Sequence, residues 1–233
     1  MARADRNTPL RRAKYGLMQH LPGALGLKYR RKLRKLYAPA AEAAFRDALA
    51  QTAGTVCIDL GANIGQHTRT MAATAKRVYA FEPDPWTARQ LREALADLDN
   101  VDVIEAAAGT ETGTFPLYRT ASFDSDPVEQ SQSSSLMSEK RNVDTTAAID
   151  VTVLDFPVFL EQLDTKIGVI KMDIEGAEVA LLETLFDHPV ASRIGYIFVE
   201  THESRIPELL PRTDALRGRA AGMTHPVVNM DWK

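Results

Sequence analysis

The sequence predicts an α/β protein, a doubly wound, mostly parallel sheet with helices on both faces. Three observations carry this. From residue 56 onward, short apolar, β-prone runs alternate with stretches of helical periodicity. The first run, Val56, Cys57, Ile58 and Leu60, stops at a glycine and is followed by helical spacing at Ile64, Met71, Ala72 and Ala75. Finally, 233 residues with 45% hydrophobic and 25% charged side chains suit one domain with a sizeable core.

Taken in order, residues 1–12 read as disordered. The spacing of Tyr29, Leu33, Leu36 and Tyr37 predicts an amphipathic helix, continued by the high helix propensity of 38–50. Residues 1–50 are therefore expected to form a basic helical extension lying across the sheet, its basic face solvated, ahead of a main domain over 51–233. Strands are expected at 56–60, 77–81, 101–106, 167–173 and 193–201, with a last one at 226–230. Helices are expected after Asn63, over 85–98 with Pro85 in the first turn, over 155–163, and after Gly176, where Ala177, Ala180, Leu181, Thr184 and Leu185 share a face. The T-E-T-G-T-F-P-L-Y run within 109–120 reads as a turn into an edge strand, and Ile149, Val151 and Val153 alternate as a half-buried strand. A proline-broken helical region is expected over 204–221. Residues 121–146, rich in Ser, Asp and Gln, suggest a mobile segment or lid.

Charge is unevenly placed. The net charge is −3, yet residues 1–36 hold eleven Lys or Arg and one acid, a balance of +10, which leaves −13 for the rest. A basic arm on an acidic body points to an anionic partner, a membrane surface or docking onto the protein's own body. Nucleic acid is not expected as a partner, since the body has no second basic stretch and no aromatic stacking motif. A single cysteine, Cys57, excludes an internal disulfide and fits a reducing compartment. With no run long enough to span a membrane and no apolar signal core at the N-terminus, a cytoplasmic location is expected, with membrane-peripheral contact through the basic arm.

The chemistry starts at T-V-C-I-D-L-G-A-N-I-G-Q-H-T, residues 55–68. Strand, glycine turn and helix open a nucleotide-binding α/β unit, in which ligands bind at the carboxyl ends of the strands. The spacing is G-x-x-x-G, so the pyrophosphate-binding G-x-G-x-x-G is absent. Asp59 would repel a phosphate and suits an ammonium; S-adenosylmethionine (SAM) offers an ammonium, a sulfonium and a ribose diol without phosphate. Asp59, Asn63 and the backbone of Gly61 and Gly65 are expected to hold its amino-acid end, the glycines allowing a close approach. A plain strand-to-helix turn, with Asn63 as a cap, reads the same way. Glu82 ends the second strand about 20 residues past the glycine turn, where an acid receives a ribose diol. His67, in the first helical turn, reads as structural.

A second constellation is Lys171-Met172-Asp173-Ile174-Glu175-Gly176-Ala177-Glu178, three charges ending an apolar strand. Lys171 and Asp173 share one strand face and are expected to pair. Glu200 and His202 end the next strand on a common face. These groups converge on the sheet edge of Asp59 and Glu82, either as a functional site or as a structural ion network.

Four blocks, C-I-D-L-G-A-N-I-G, V-Y-A-F-E-P, I-K-M-D-I-E-G-A-E and V-E-T-H, resemble the FkbM-type SAM-dependent methyltransferases over about Thr55 to His202, with the closing N-M-D-W as an extension of the match. The resemblance implies a class I methyltransferase, Rossmann-like fold and methyl transfer to a hydroxyl of a sugar, glycan or glycosylated natural product. It carries over Asp59, Gly61, Asn63, Gly65 and Glu82 as SAM contacts and places 105–107, with Ala107, near adenine. The Ser133-Ser134-Ser135-Leu136 stretch matches a serine-rich block of the family. A hydroxyl acceptor needs a general base, for which His202 and Asp173 are the candidates, with Lys171 and Glu175 beside them. Mg²⁺ held by Asp173, Glu175 or Glu200 is a less favoured variant. The rival readings are a catalytically silent SAM-fold binding subunit and an NAD-dependent oxidoreductase.

Overall fold

The structure is a computed structural model that describes residues 7–120, 134–137 and 148–232. The expected lid over 121–146 therefore lies outside the described residues except at 134–137.

The main sheet holds six strands. They are β1 (Val56–Leu60), β2 (Arg77–Phe81), β3 (Val101–Ile104), β7 (Ile167–Met172), β8 (Ile194–Val199) and β9 (Val227–Asn229). They run in the order β3-β2-β1-β7-β8-β9, and every pairing is parallel. Helices α3 (Gln66–Ala72) and α4 (Pro85–Ala94) carry the chain from β1 outward to β3. The chain then returns to the other side of β1 for β7. That reversal leaves a crevice outside the carboxyl ends of β1 and β7.

The detour between β3 and β7 builds a second sheet of three strands, β4 (Ala107–Gly109), β5 (Gly113–Tyr118) and β6 (Ala148–Asp155), ordered β4-β6-β5. The strand expected over 101–106 stops at Ile104, and the chain then enters the second sheet at Ala107. Val103 and Ile104 pair with β2, and after a short break Ala107 pairs with Val153 of β6. Pro116 lies in β5, an edge strand of this sheet, where a missing N–H is tolerated.

Three helices complete the domain: α5 (Phe156–Leu163), α6 (Glu178–Asp187) and α7 (Leu210–Ala221). Ile58, Leu60, Ile170 and Met172 pack with Leu160, Leu181, Leu182, Leu185 and Leu216 on one face of the sheet. Cys57, Val78, Val169 and Phe198 pack with Ala41, Phe45, Ala48, Met71 and Trp232 on the other. Burial raises the Cys57 thiol to about 11, which leaves it a core residue without thiolate character.

The N-terminal segment departs from expectation in two ways. Residues 9–12 are helical, because α1 (Pro9–Met18) starts at Thr8, whose hydroxyl accepts the Arg11 N–H at 3.3 Å, with Pro9 in the first turn. The long α2 (Gly23–Gln51) does cross the sheet, Phe45 meeting Phe198 edge-on at 5.3 Å. Its basic face, however, is only partly solvated. Arg30 is buried and forks onto Asp214 at 2.6 and 3.0 Å, and Arg34 donates to the Thr201 carbonyl.

Candidate active site

The glycine turn after β1 is left-handed at three residues, with φ of +76° at Gly61, +50° at Asn63 and +87° at Gly65. The glycines are needed for a different reason from close ligand approach. A Cβ on Gly61 would fall 1.8 Å from the Asp173 carbonyl oxygen, and one on Gly65 would lie 2.7 Å from Leu91 Cδ1. The turn is tight because β7 and α4 press on it from behind. Its other side, with Gly61 and Asn63, walls a cavity of about 360 Å³, which also reaches Glu82, Ala107, Lys171, Asp173, Glu175 and Glu200. That volume is at the lower end of small-molecule sites. Gly65 and Asp59 do not border it.

Glu82 is the most completely prepared group in the cavity wall. It is 7% exposed, and each carboxylate oxygen accepts one backbone N–H: Asn63 to Oε2 at 2.9 Å and Asp84 to Oε1 at 3.1 Å. Asp84 is itself held in place, its carboxylate capping α4 by accepting from Trp86 and Thr87 and pairing with Arg119 at 2.7 and 3.0 Å. Burial pushes Glu82 up to about 7; the two backbone N–H groups and Lys171 pull it down, while the nearby Asp84 charge adds to the rise. Each oxygen keeps a further lone pair for a hydroxyl.

Asp59 does not offer a free carboxylate to an ammonium. It is fully buried, its Oδ2 accepting from the Thr68 hydroxyl at 2.7 Å and its Oδ1 lying 3.1 Å from Lys171 Nζ. The expected Lys171–Asp173 pair is thus replaced by Lys171–Asp59, since these two residues sit side by side in the β1/β7 register. Lys171 Nζ also donates to the Gly61 carbonyl at 2.7 Å, tying β7 to the glycine turn. Burial works against its charge, but Asp59 and Asp173 outweigh it and raise the pKa, so the ammonium persists and is no proton acceptor. His67, half-buried on the cavity wall between Phe45 and Trp232, is shifted down by burial and by Lys171, and stays neutral near pH 7.

At the ends of β7 and β8 the charges neutralise one another. Glu178 is fully buried; its Oε2 accepts the Gly176 N–H at 2.7 Å and its Oε1 accepts the His202 N–H at 3.0 Å. The second acid of E-G-A-E therefore laces the β7–α6 turn to the end of β8. His202 is 2% exposed, with Nδ1 at 3.2 Å from Glu178 Oε1 and Nε2 at 3.1 Å from Glu175 Oε2 and 3.6 Å from Asp173 Oδ1. Burial lowers its pKa, but the three carboxylates outweigh that and raise it from 6.5 to about 9. His202 is enclosed and does not border the cavity, so it is not placed to meet a substrate hydroxyl as the general-base expectation requires. Asp173 and Glu200 do face the cavity.

One ligand atom each from Asp173, Glu175 and His202 lies within 4.8 Å of the others, a set that contains His202 in place of the expected Glu200. The trio fits a metal poorly. Arg205 Nη1 already bridges both oxygens of Glu175 at 3.1 and 3.0 Å, so one of the three ligands is engaged by a cation.

Sequence reasoning missed several residues. Arg205 lines the cavity and holds Glu175, but sits in a stretch read only as broken helix. Leu117 and Leu136 add apolar wall next to Ala107. Ser135 joins β5 through backbone bonds with Tyr118, and its hydroxyl donates to the Glu175 carbonyl at 2.7 Å, which gives the serine-rich block a structural role. Glu105, expected near adenine, is exposed and pairs with Arg92 at 2.8 Å instead.

Fold and site together define a Rossmann-like α/β unit of the class I methyltransferase type, with its ligand crevice at the switch between β1 and β7. Residues 59–219, more than half of the chain, match the family described as the methyltransferase FkbM domain. The chain belongs to the FkbM methyltransferase family. Among solved structures it is similar to a methyltransferase FkbM from Methylobacillus flagellatus KT, at 19% identity over 71% of this chain and 37% of that one, with a TM-score of 0.41. It is also similar to an rRNA methylase from Streptococcus thermophilus, at 24% identity over 27% of this chain and 37% of that one, with a TM-score of 0.25. A third is phosphoethanolamine N-methyltransferase 1 from Haemonchus contortus, solved with phosphoethanolamine and S-adenosylhomocysteine. There the identity is 16% over 48% of this chain and 26% of that one, with a TM-score of 0.23. The chain thus spans well under half the length of these proteins. A search of curated proteins gives no match.

Proposed function

We propose that this protein is a SAM-dependent O-methyltransferase acting on a hydroxyl of a sugar, glycan or glycosylated natural product. The single observation that carries the cofactor assignment is Glu82, a buried carboxylate on the cavity wall with one lone pair per oxygen left for a diol. Gly61 and Asn63 border the amino-acid end of the cofactor. The Lys171 ammonium, standing where Asp59 was expected, suits its carboxylate. Ala107, Leu117 and Leu136 supply an apolar bed for adenine.

Bound SAM supplies an electrophilic methyl on its sulfonium. The protein's part is to align the acceptor for in-line attack and to remove its proton. Asp173 is the general base in this reading, since it faces the cavity and its buried Oδ1 has no hydrogen-bond partner among the described residues. Glu200 and Glu175 offer further acceptors for a polyol. The hydroxyl acceptor itself rests on the family resemblance.

The test is incubation with isotopically methyl-labelled SAM and a panel of glycan and glycoside acceptors, read by mass spectrometry. Label on an acceptor oxygen is expected. Tight SAM binding without transfer to any acceptor favours the silent binding subunit, and absence of SAM binding overturns the reading entirely.

A further inference from the structure

Four of the seven exposed large hydrophobic side chains among the described residues fall within 16 positions: Leu10, Leu17, Leu21 and Leu25. Helix α1 buries none of its residues. Along it, Leu10, Ala13, Lys14 and Leu17 follow the i, i+3, i+4, i+7 spacing that normally marks a core-facing stripe, and all four are exposed. Leu10 is 80% and Leu17 75% exposed, so this stripe faces solvent while Tyr15 packs on Tyr29 of α2. The start of α2 repeats the arrangement. Leu25, Lys28, Lys32 and Lys35 are exposed at three- and four-residue spacing, opposite buried Arg30 and Leu33.

Charge selects the occupant of this surface. Arg11, Arg12, Lys14, Lys28, Arg31, Lys32 and Lys35 are all exposed, and no Asp or Glu occurs between Asn7 and Ala41. Nucleic acid would use the cations and leave the leucines in water. An anionic bilayer takes both, the leucines entering the acyl boundary while lysine stems lie along it and their ammonium groups reach the headgroups. We propose that the α1–α2 hairpin is a docking surface for an anionic lipid bilayer.

Its position gives the docking a consequence. Near its C-terminal end α2 meets the start of β7, where Thr52 lies against Gly168, whereas Arg34 binds Thr201 just past the end of β8. Residues 23–29, ahead of the buried Arg30, therefore lie toward the sheet edge that carries the cavity, and a docked hairpin holds that edge toward the membrane. This inference stands apart from the methyl-transfer reading and survives if that reading fails.

The test is sedimentation of the full chain with vesicles of phosphatidylcholine alone or with 30 mol% phosphatidylserine, beside size-exclusion chromatography without lipid. At least tenfold stronger partition onto the phosphatidylserine vesicles is expected, lost as salt is raised. The double variant Leu10→Ser, Leu17→Ser and the charge variant Lys14→Glu, Lys28→Glu, Lys35→Glu should each reduce that partition at least tenfold. SAM affinity and circular dichroism should stay unchanged, which shows the variants to be folded. Equal binding to both vesicle types, or none to either, overturns the proposal. So does a dimer in solution that Leu10→Ser, Leu17→Ser disperses without any effect on vesicle binding.

Discussion

Glu82 at the end of β2 and His202 at the end of β8 are both nearly buried ionisable groups at the same edge of one sheet, and they are settled in opposite ways. Glu82 is held by backbone N–H groups and, among the described residues, has no cation within ion-pair distance, so burial dominates and its pKa rises to about 7. His202 is ringed by the acids Glu178, Glu175 and Asp173, which overcome burial and lift it to about 9. The first group is left incomplete by the protein and opens on the cavity. The second is surrounded by acids of the protein and lies off the cavity wall, although its Nε2 is buried without a hydrogen-bond partner among the described residues. A perturbed pKa alone does not distinguish a ligand site from a structural knot; the partners do.

The largest effect that would sharpen this contrast lies between the two. Asp173→Asn should lower turnover about 10²- to 10⁴-fold with SAM affinity retained, measured by single-turnover kinetics and calorimetry. A fall of similar size for His202→Gln at unchanged fold would return the base role to the histidine.

Next comes Glu82→Gln. Hydrogen bonds to charged groups contribute about 1.5–3 kcal/mol, so SAM affinity should drop roughly 10- to 100-fold. The apo protein should respond in the other direction. A carboxyl whose folded pKa is raised from 4.5 to about 7 loses stability as pH climbs through that window, on the order of 3 kcal/mol above it. Thermal melts at pH 8 without SAM should therefore show Glu82→Gln more stable than the parent. A less stable variant would mean that the carboxylate is structurally satisfied after all. In the parent, SAM affinity should weaken as pH falls from 8 to 6 and Glu82 takes a proton.

His202 has the converse linkage. Its raised pKa gives stability that is fully present below about 6.5 and is lost as pH rises toward about 9. The melting temperature should decline across that interval, and His202→Gln should flatten the decline. The smallest expected effect is from metal removal. Chelation with EDTA, or added Mg²⁺, should leave turnover unchanged within a factor of about two, as Arg205 already engages both oxygens of Glu175 there. An activity abolished by EDTA and restored by one cation would break the contrast, turning the knot into a metal site.

The sequence by itself determined the α/β class, the glycine turn, Glu82 and the alternation that places them at strand ends. Those features depend on neighbours in the chain: a strand period, a left-handed turn, a proline and an acid within a few residues of one another. The partners of these groups come from long-range packing. Lys171 serves Asp59 rather than Asp173 because β1 and β7, far apart in sequence, lie side by side with these two residues in register. Gly61 is obligatory because the chain leaving β7 presses its carbonyl against it. His202 is silenced by Glu178, which reaches it only because α6 folds back under the end of β8. Charges compensate through space at contact distance, and strand order, which no local pattern records, determines which charges meet.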